Sequence, residues 1–295
     1  MSARHVLCAA LLAAGCAPLD ASAPQPPRTD LAAACGTRDG WSDPAPPAHV
    51  AGNVWDVGTC GITVLLVTSP EGHVLIDGAT VEAAPHILAN IRAAGFEPAD
   101  VRWIAMSHEH HDHVGGVAAL KAATGARVAA GAVAAAALER GQVGSDDPQA
   151  AIHDPFPPVR VERVMADAEA IDLGGSRLVM HLTPVHSPGS ASWVITATAS
   201  AGPALTVTYA DSLTTISADD YRFTDHPQRV AAIRVGLDKA AALPCGILVT
   251  PHPSASDLFE RLAGRATLED PAACRPYAEA ARARFEARLM KEQGK

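Results

Sequence analysis

The segment His108-Glu109-His110-His111-Asp112-His113 follows the pattern His-x-His-x-Asp-His, with three imidazoles and a carboxylate in little more than one turn of chain. Such crowding is costly unless something positive fills the middle. Imidazole nitrogen and carboxylate oxygen are the donors that zinc accepts, and four of them exceed what one tetrahedral zinc with an open position needs. The surplus points to two metals. His108 and His110, two apart on a loop, can project to one side, while Asp112 and His113 project to a neighbouring point. His111 holds the variable place of the pattern and reads as an outer or solvated residue. The bland alternative, a solvated histidine-rich turn, fits poorly with so specific a spacing directly after a core strand.

The flanking residues say which elements must present these groups. Val101 to Met106 is a short apolar run that reads as a strand buried on both faces, and Val114 to Thr124 has helical spacing, so the hexad is a strand-to-helix loop. A third donor for each metal must come from elsewhere. His186, in Thr183-Pro184-Val185-His186-Ser187-Pro188-Gly189-Ser190, follows the apolar strand Leu178 to Leu182, and His252, in Val249-Thr250-Pro251-His252-Pro253, follows Gly246 to Val249. His73, His86, His153, His181 and His226 lack such a context and read as structural or solvated.

Together with Tyr209-Ala210-Asp211-Ser212-Leu213, these loops resemble those of zinc hydrolases of the metallo-β-lactamase fold. Within that fold the chain resembles the third subclass of the class B β-lactamases, nearest the Adelaide imipenemase type, over about residues 35 to 293. The resemblance implies a first zinc on His108, His110 and His186 and a second on Asp112, His113 and His252. It also implies that Asp77, in Val74-Leu75-Ile76-Asp77-Gly78, buttresses the metal loop from outside the ligand set. The implied activity is hydrolysis of the amide of penicillins, cephalosporins and carbapenems by a metal-bound hydroxide, an antibiotic-resistance function, with Asp112 orienting the attacking oxygen or passing a proton. Ser212 and Thr214 are the candidates for holding the substrate carboxylate, and Gln149 resembles a substrate-loop residue. Val185 departs from the family, whose members usually carry glycine there.

Absences narrow the reading further. No cysteine lies between Cys60 and Cys245, so a thiolate ligand at the Ala210-Asp211-Ser212 strand end is excluded and His113 takes its place. Glyoxalase-type thioesterases and lactonases of the same fold bridge both metals with an aspartate at about this point, and Asp211 could serve so. Ser190-Ala191-Ser192-Trp193, Ser212 and Thr214 favour the lactamase pattern instead. A metal-free scaffold of the same fold is the other alternative, against which six intact ligands argue. Neither Ser-x-x-Lys nor Gly-x-Ser-x-Gly stands where it could supply a covalent route.

The 295 residues are 48% hydrophobic, enough for one large core, and no linker divides the middle of the chain. Net charge is −9 and the basic residues are scattered, which excludes nucleic acid as a natural partner. Arg4 and the apolar run Val6 to Ala14 read as a secretory leader, too short to span a bilayer. Ala13-Ala14-Gly15-Cys16 resembles a lipoprotein cleavage box, with Ala21-Ser22-Ala23 as the rival site. The expected organisation is a leader and tether over 1–23, a Pro/Ala-rich linker over 24–34, and one domain over 35–295. The protein is then exported to the periplasm as a monomer, touching membrane only through a lipid on Cys16. Four cysteines remain, which allow three pairings; sequence separation and the resemblance favour Cys35 with Cys60 and Cys245 with Cys274.

Periodicity predicts strands near 49–57, 60–68, 73–77, 101–106, 160–165, 176–183, 191–198, 204–210 and 246–250. Helices are predicted near 81–94, 113–123, 131–140, 226–242, 254–263 and 271–292, with the alanine-rich stretch Ala129 to Ala137 read as helix. That order suggests an α/β protein, an αββα four-layer sandwich with the zinc site at one edge of the two β-sheets.

Overall fold

The computed structural model describes residues 29–198 and 204–294, which form two β-sheets packed face to face. The leader 1–23 lies outside the described residues. Seven strands make the first sheet, side by side in chain order: β1 (Ala48–Ala51), β2 (Val54–Asp56), β3 (Leu65–Val67), β4 (His73–Ile76), β5 (Val101–Ala105), β6 (Arg127–Gly131) and β7 (Arg163–Met165). It is antiparallel from β1 to β4 and parallel from β4 to β7. The second sheet uses β8 (Ala170–Leu173), β9 (Ser176–Leu182), β10 (Ala191–Ala197), β11 (Leu205–Tyr209) and β12 (Ile247–Val249), ordered β12-β11-β10-β9-β8. Only its β11–β12 pair is parallel.

Strand alternation sorts the side chains into layers. Leu65, Val67, Val74 and Ile76 face inward, onto Leu178, Met180, Trp193, Ile195 and Tyr209 of the second sheet. Each such fully buried large apolar side chain contributes about 1.5–3 kcal/mol. Leu66, Leu75, Ile104 and Val128 face outward, where α2 (Ala84–Ala93), α4 (Val117–Thr124) and α5 (Ala132–Arg140) cover them with Ile87, Ile91, Leu120 and Leu138. Beyond the second sheet, α6 (Pro227–Ala241) and α8 (Cys274–Glu292) pack together through Ile233, Leu237, Ala281 and Phe285. The result is the expected four-layer αββα sandwich. Three shorter helices complete it: α1 (Leu31–Cys35), α3 (His111–Val114) and α7 (Leu258–Leu262).

Several local expectations are corrected. The run 49–57 is two strands, because Gly52 adopts φ 54° and its bare α-carbon lies where a Cβ would sit 2.6 Å from the Thr198 carbonyl oxygen. Only Leu65–Val67 of the run 60–68 is strand; Cys60 is tied instead to Cys35. The alanine-rich stretch begins as β6, paired in parallel with β5 and β7, and turns helical only at Ala132. Pairing between two buried strands overrides alanine's helix preference there. The linker boundary moves too, since α1 starts at Leu31, whose side chain is 1% exposed, and Asp30 caps it by accepting from the Ala33 N–H. The second disulfide joins Cys245, just before β12, to Cys274 at the start of α8.

One buried carboxyl gives the fold a pH dependence. Asp56 Oδ1 accepts from the Gly58 and Val64 N–H groups at 2.9 and 3.3 Å, yet burial pushes its pKa from 3.8 up to about 7. The folded state therefore holds this proton more tightly than the unfolded one, and stability is lost as pH rises from about 4 through 7. A rise of that size corresponds to ~4 kcal/mol. Asp56→Asn keeps an acceptor in place without a titrating charge, so its melting temperature should gain on the parent's between pH 5 and pH 8. Melting curves that stay a constant interval apart across that range would contradict this.

Candidate metal centre

Strands β4, β5, β9, β11 and β12 run in the same direction through their respective sheets, and each ends in a loop carrying site residues. Asp77 follows β4, the hexad follows β5, His186 follows β9, Asp211 follows β11 and His252 follows β12. The donor atoms of His108, His110 and His186 lie within 4.8 Å of one another, and so do those of His108, Asp112 and His113. His252 joins from the side, its Nε2 3.5 Å from Asp112 Oδ2, while His113 Nε2 is 3.2 Å from the same oxygen. All six expected ligands thus come together.

Each imidazole is anchored from outside, which fixes what its other nitrogen faces. Asp211 Oδ1 lies 2.9 Å from His108 Nδ1, and Asp147 Oδ2 lies 3.0 Å from His110 Nε2. Thr214 meets His186 Nδ1 at 2.9 Å with both its hydroxyl and its carbonyl oxygen. Asp77 Oδ2 is 3.3 Å from His113 Nδ1, and the Gly61 carbonyl is 3.1 Å from His252 Nδ1. Such outer partners set tautomer and ring orientation in metal sites. The inward nitrogens converge: His110 Nδ1 is 3.1 Å from His186 Nε2, and His108 Nε2 is buried with no hydrogen-bond partner. A desolvated lone pair without a partner is costly, and a cation is the group that these donors fit.

Electrostatics agree. Burial, reinforced by neighbouring histidines, holds His108 far below 6.5 and brings His110 and His186 to about 3, leaving their lone pairs free near neutrality. His113 goes the other way: burial lowers it, but the Asp112 charge and hydrogen bonds to Asp112 and Asp77 raise it to about 10. Donors of this kind bind metal in competition with protons, so occupancy of such a position depends on pH.

Asp77 organises more than His113. With φ 67°, it accepts from the Ser107 N–H at 2.7 Å, the Ser107 hydroxyl at 2.6 Å and the Tyr209 hydroxyl at 2.8 Å, so it holds the loop preceding His108 against β11. Glu109, buried between His108 and His110, accepts from the Ser187 hydroxyl and the Gly189 N–H at 2.7 and 2.9 Å and so ties the hexad to the His186 loop.

Other expectations fare differently. Thr214, read as a carboxylate holder, has its hydroxyl engaged by His186. Ser212 is buried beside Asp211, and Gln149 is buried with its amide nitrogen 3.4 Å from His186 Nε2. His153, read as structural or solvated, instead lies with its ring centroid 3.9 Å from that of His110, and its Nδ1 is 2.9 Å from His111 Nδ1. The sequence carried no spacing signal for His153 or Asp147, because a loop folds back over the hexad to bring them there. A cavity of about 540 Å³ lies on the Pro184 and Pro188 side of the His186 loop, with Tyr221, His226 and Arg229 in its wall.

Known proteins share this architecture. The family model described as the metallo-beta-lactamase superfamily matches residues 57–206. The metallo-β-lactamase MIM-1 from Novosphingobium pentaromativorans is 57% identical, with TM-score 0.88 over 90% of this chain and 98% of that one. MEM-A1, a subclass B3 metallo-β-lactamase isolated from a soil metagenome library, is 38% identical, with TM-score 0.82 over 86% of this chain and 99% of that one. A hydroxyacylglutathione hydrolase of Acidiphilium cryptum is 29% identical over 129 residues, 44% of this chain and 42% of that protein. The chain spans less than half the length of this curated relative, but nearly the full length of both lactamases. With the family model matching half of the chain and lactamase structures superposing on it over nearly their full length at 38–57% identity, the chain belongs to the metallo-β-lactamase superfamily and, within it, to subclass B3.

Proposed function

We propose that the protein hydrolyses the amide bond of β-lactam antibiotics, carbapenems included, with two zinc ions: one on His108, His110 and His186, the other on Asp112, His113 and His252. The observation that carries the reading is the convergence of anchored imidazoles. When bound, the metal pair supplies an activated water near neutral pH and positive charge for the lactam carbonyl. The chain's own residues do the rest. Asp147, Asp211, Asp77, Thr214 and the Gly61 carbonyl hold the five imidazoles in one orientation each. Asp112, between His113 and His252, orients the attacking oxygen or carries a proton to the departing nitrogen. Ser212, buried beside Asp211, and Gln149, buried beside His186, are the side chains that would meet the substrate carboxylate. Export to the periplasm, with or without a lipid on Cys16, accords with two disulfides. No helix of the described residues is long and apolar enough to cross a membrane.

The thioesterase or lactonase reading needs Asp211 between the metals. Its carboxylate instead faces the outer nitrogen of His108 and belongs to neither convergent group of donors. The test is a hydrolysis screen with a penicillin, a cephalosporin, a carbapenem, a monobactam, a homoserine lactone and a glutathione thioester, each with and without chelator. Cleavage of the first three, abolished by chelator, is the expected outcome. Preferential cleavage of the thioester or the lactone would overturn the reading.

A further inference from the structure

The His186 loop rests on α6 through two features that the ligand set does not explain. Arg229, near the start of α6, is buried, with only 9% of its surface exposed, and forms no ion pair among the described residues. Its guanidinium donates to the carbonyls of Pro184 and Val185 at 2.6 and 2.8 Å, the two residues directly before His186. Burying a cation is expensive; Asp147, Glu109 and Asp146 offset part of that cost from a distance, but burial still lowers the pKa of Arg229, so its position demands a reason. Two turns further on is Gly236, where a Cβ would stand 2.8 Å from Val185 Cγ2 and 3.0 Å from the Pro184 nitrogen. Val185, the residue that departs from the family pattern, is fully buried in the α6–α8 cluster with Ile233 and Leu237.

We infer that Arg229 and Gly236 form a seat on α6 that positions His186 for the metal, Arg229 by gripping the two preceding carbonyls and Gly236 by making room for Val185. The cavity of about 540 Å³ beside Pro184 and Pro188 explains why a grip is needed: on that side the loop has open space instead of packing. Glu109 holds the loop only beyond His186, at Ser187 and Gly189, so a shift of the Pro184–Val185 side would carry His186 Nε2 away from its place 3.1 Å from His110 Nδ1. Val185 in place of glycine adds a side chain that anchors the loop, provided residue 236 has none. Arg229 and Gly236 are positioning residues that act through the loop without touching the substrate.

This inference rests on His186 being a ligand of the first zinc. The experiment is a zinc titration of the full chain against a chromophoric chelator, which resolves the two affinities, with melting of the metal-free protein as a control. Arg229→Ala and the milder Arg229→Lys should weaken the first site by about 10–100-fold, as loss of an outer partner does, and leave the second near the parent value. Gly236→Ala should do the same even though alanine favours a helix over glycine. Val185→Ala combined with Gly236→Ala should bind the first zinc more tightly than Gly236→Ala alone, short of the parent value, because it removes the 2.8 Å collision with Cγ2 and leaves the 3.0 Å approach to the Pro184 nitrogen. Zinc affinities that stay at the parent value in Arg229→Lys and Gly236→Ala, or that fall equally at both sites, overturn the seat. His186→Ala separates this from the ligand reading: if it keeps both zincs, the ligand assignment falls and the seat with it.

Discussion

Asp112→Asn should strip zinc from the His113–His252 position and lower β-lactam turnover by at least about 100-fold, more than loss of an outer partner causes. The substitution keeps size and shape, so folding is not at issue. What it removes is the charge at the centre of the second cluster, where one carboxylate oxygen faces His113 Nε2 at 3.2 Å and His252 Nε2 at 3.5 Å. Burial by itself would push this carboxyl up, but the adjoining His113, by charge and hydrogen bond, holds it well below the usual carboxylate range, so it is an anion at every working pH. A neutral amide is a far weaker zinc ligand and a poor proton carrier. The His108, His110 and His186 group does not contain this oxygen and should keep its zinc. Metal analysis should therefore find about one zinc per chain, and imipenem hydrolysis should report the rate. Two retained zincs with near-parental turnover would remove Asp112 from both roles.

Asp211→Asn should produce a different pattern, and the difference separates lactamase from thioesterase or lactonase. Asp211 Oδ1 accepts from His108 Nδ1 at 2.9 Å, its backbone N–H donates to the Ser192 hydroxyl at 3.0 Å, and its side chain is fully buried. Asparagine can still accept from the imidazole, so the tautomer survives, but the carboxylate charge, which burial already disfavours by pushing Asp211 up to about 8, can no longer form to make His108 a stronger donor to metal. The first-site zinc affinity should fall by about 10–100-fold, with the second site unchanged and activity recovered by added zinc. A carboxylate bridging two metals would behave otherwise, since its loss would deplete both sites together and zinc would not restore the rate. Titration of both variants side by side decides the matter.

Much of this centre was legible because metal ligands obey short-range rules. His-x-His-x-Asp-His crowds donors within a few residues, and His186 and His252 each sit in a proline-flanked loop just past an apolar run. The four-layer order followed from the alternation of apolar runs and helical spacing. Elements that owe their form to partners were not legible. Residues 129–131, the start of the alanine-rich stretch, look helical by composition and belong to a strand because β5 and β7 lie on either side. Residues 170–173 pair with β9 across a tight turn and carry too short a pattern to stand out.

The sequence by itself determined the types of the candidate donors, their spacing, the lack of a cysteine among them and the placement of each donor after a strand. Tertiary structure alone decided which nitrogen of each imidazole faces inward, since that depends on anchors drawn from distant loops: Asp147 for His110, Asp211 for His108, Thr214 for His186 and Gly61 for His252. It likewise decided that His153 lies tilted against His110 and that Arg229 donates to the two carbonyls before His186. The physical reason is one of range. Donor chemistry is a property of the residue, whereas orientation belongs to hydrogen bonds closed between segments tens to hundreds of residues apart, which no local pattern records.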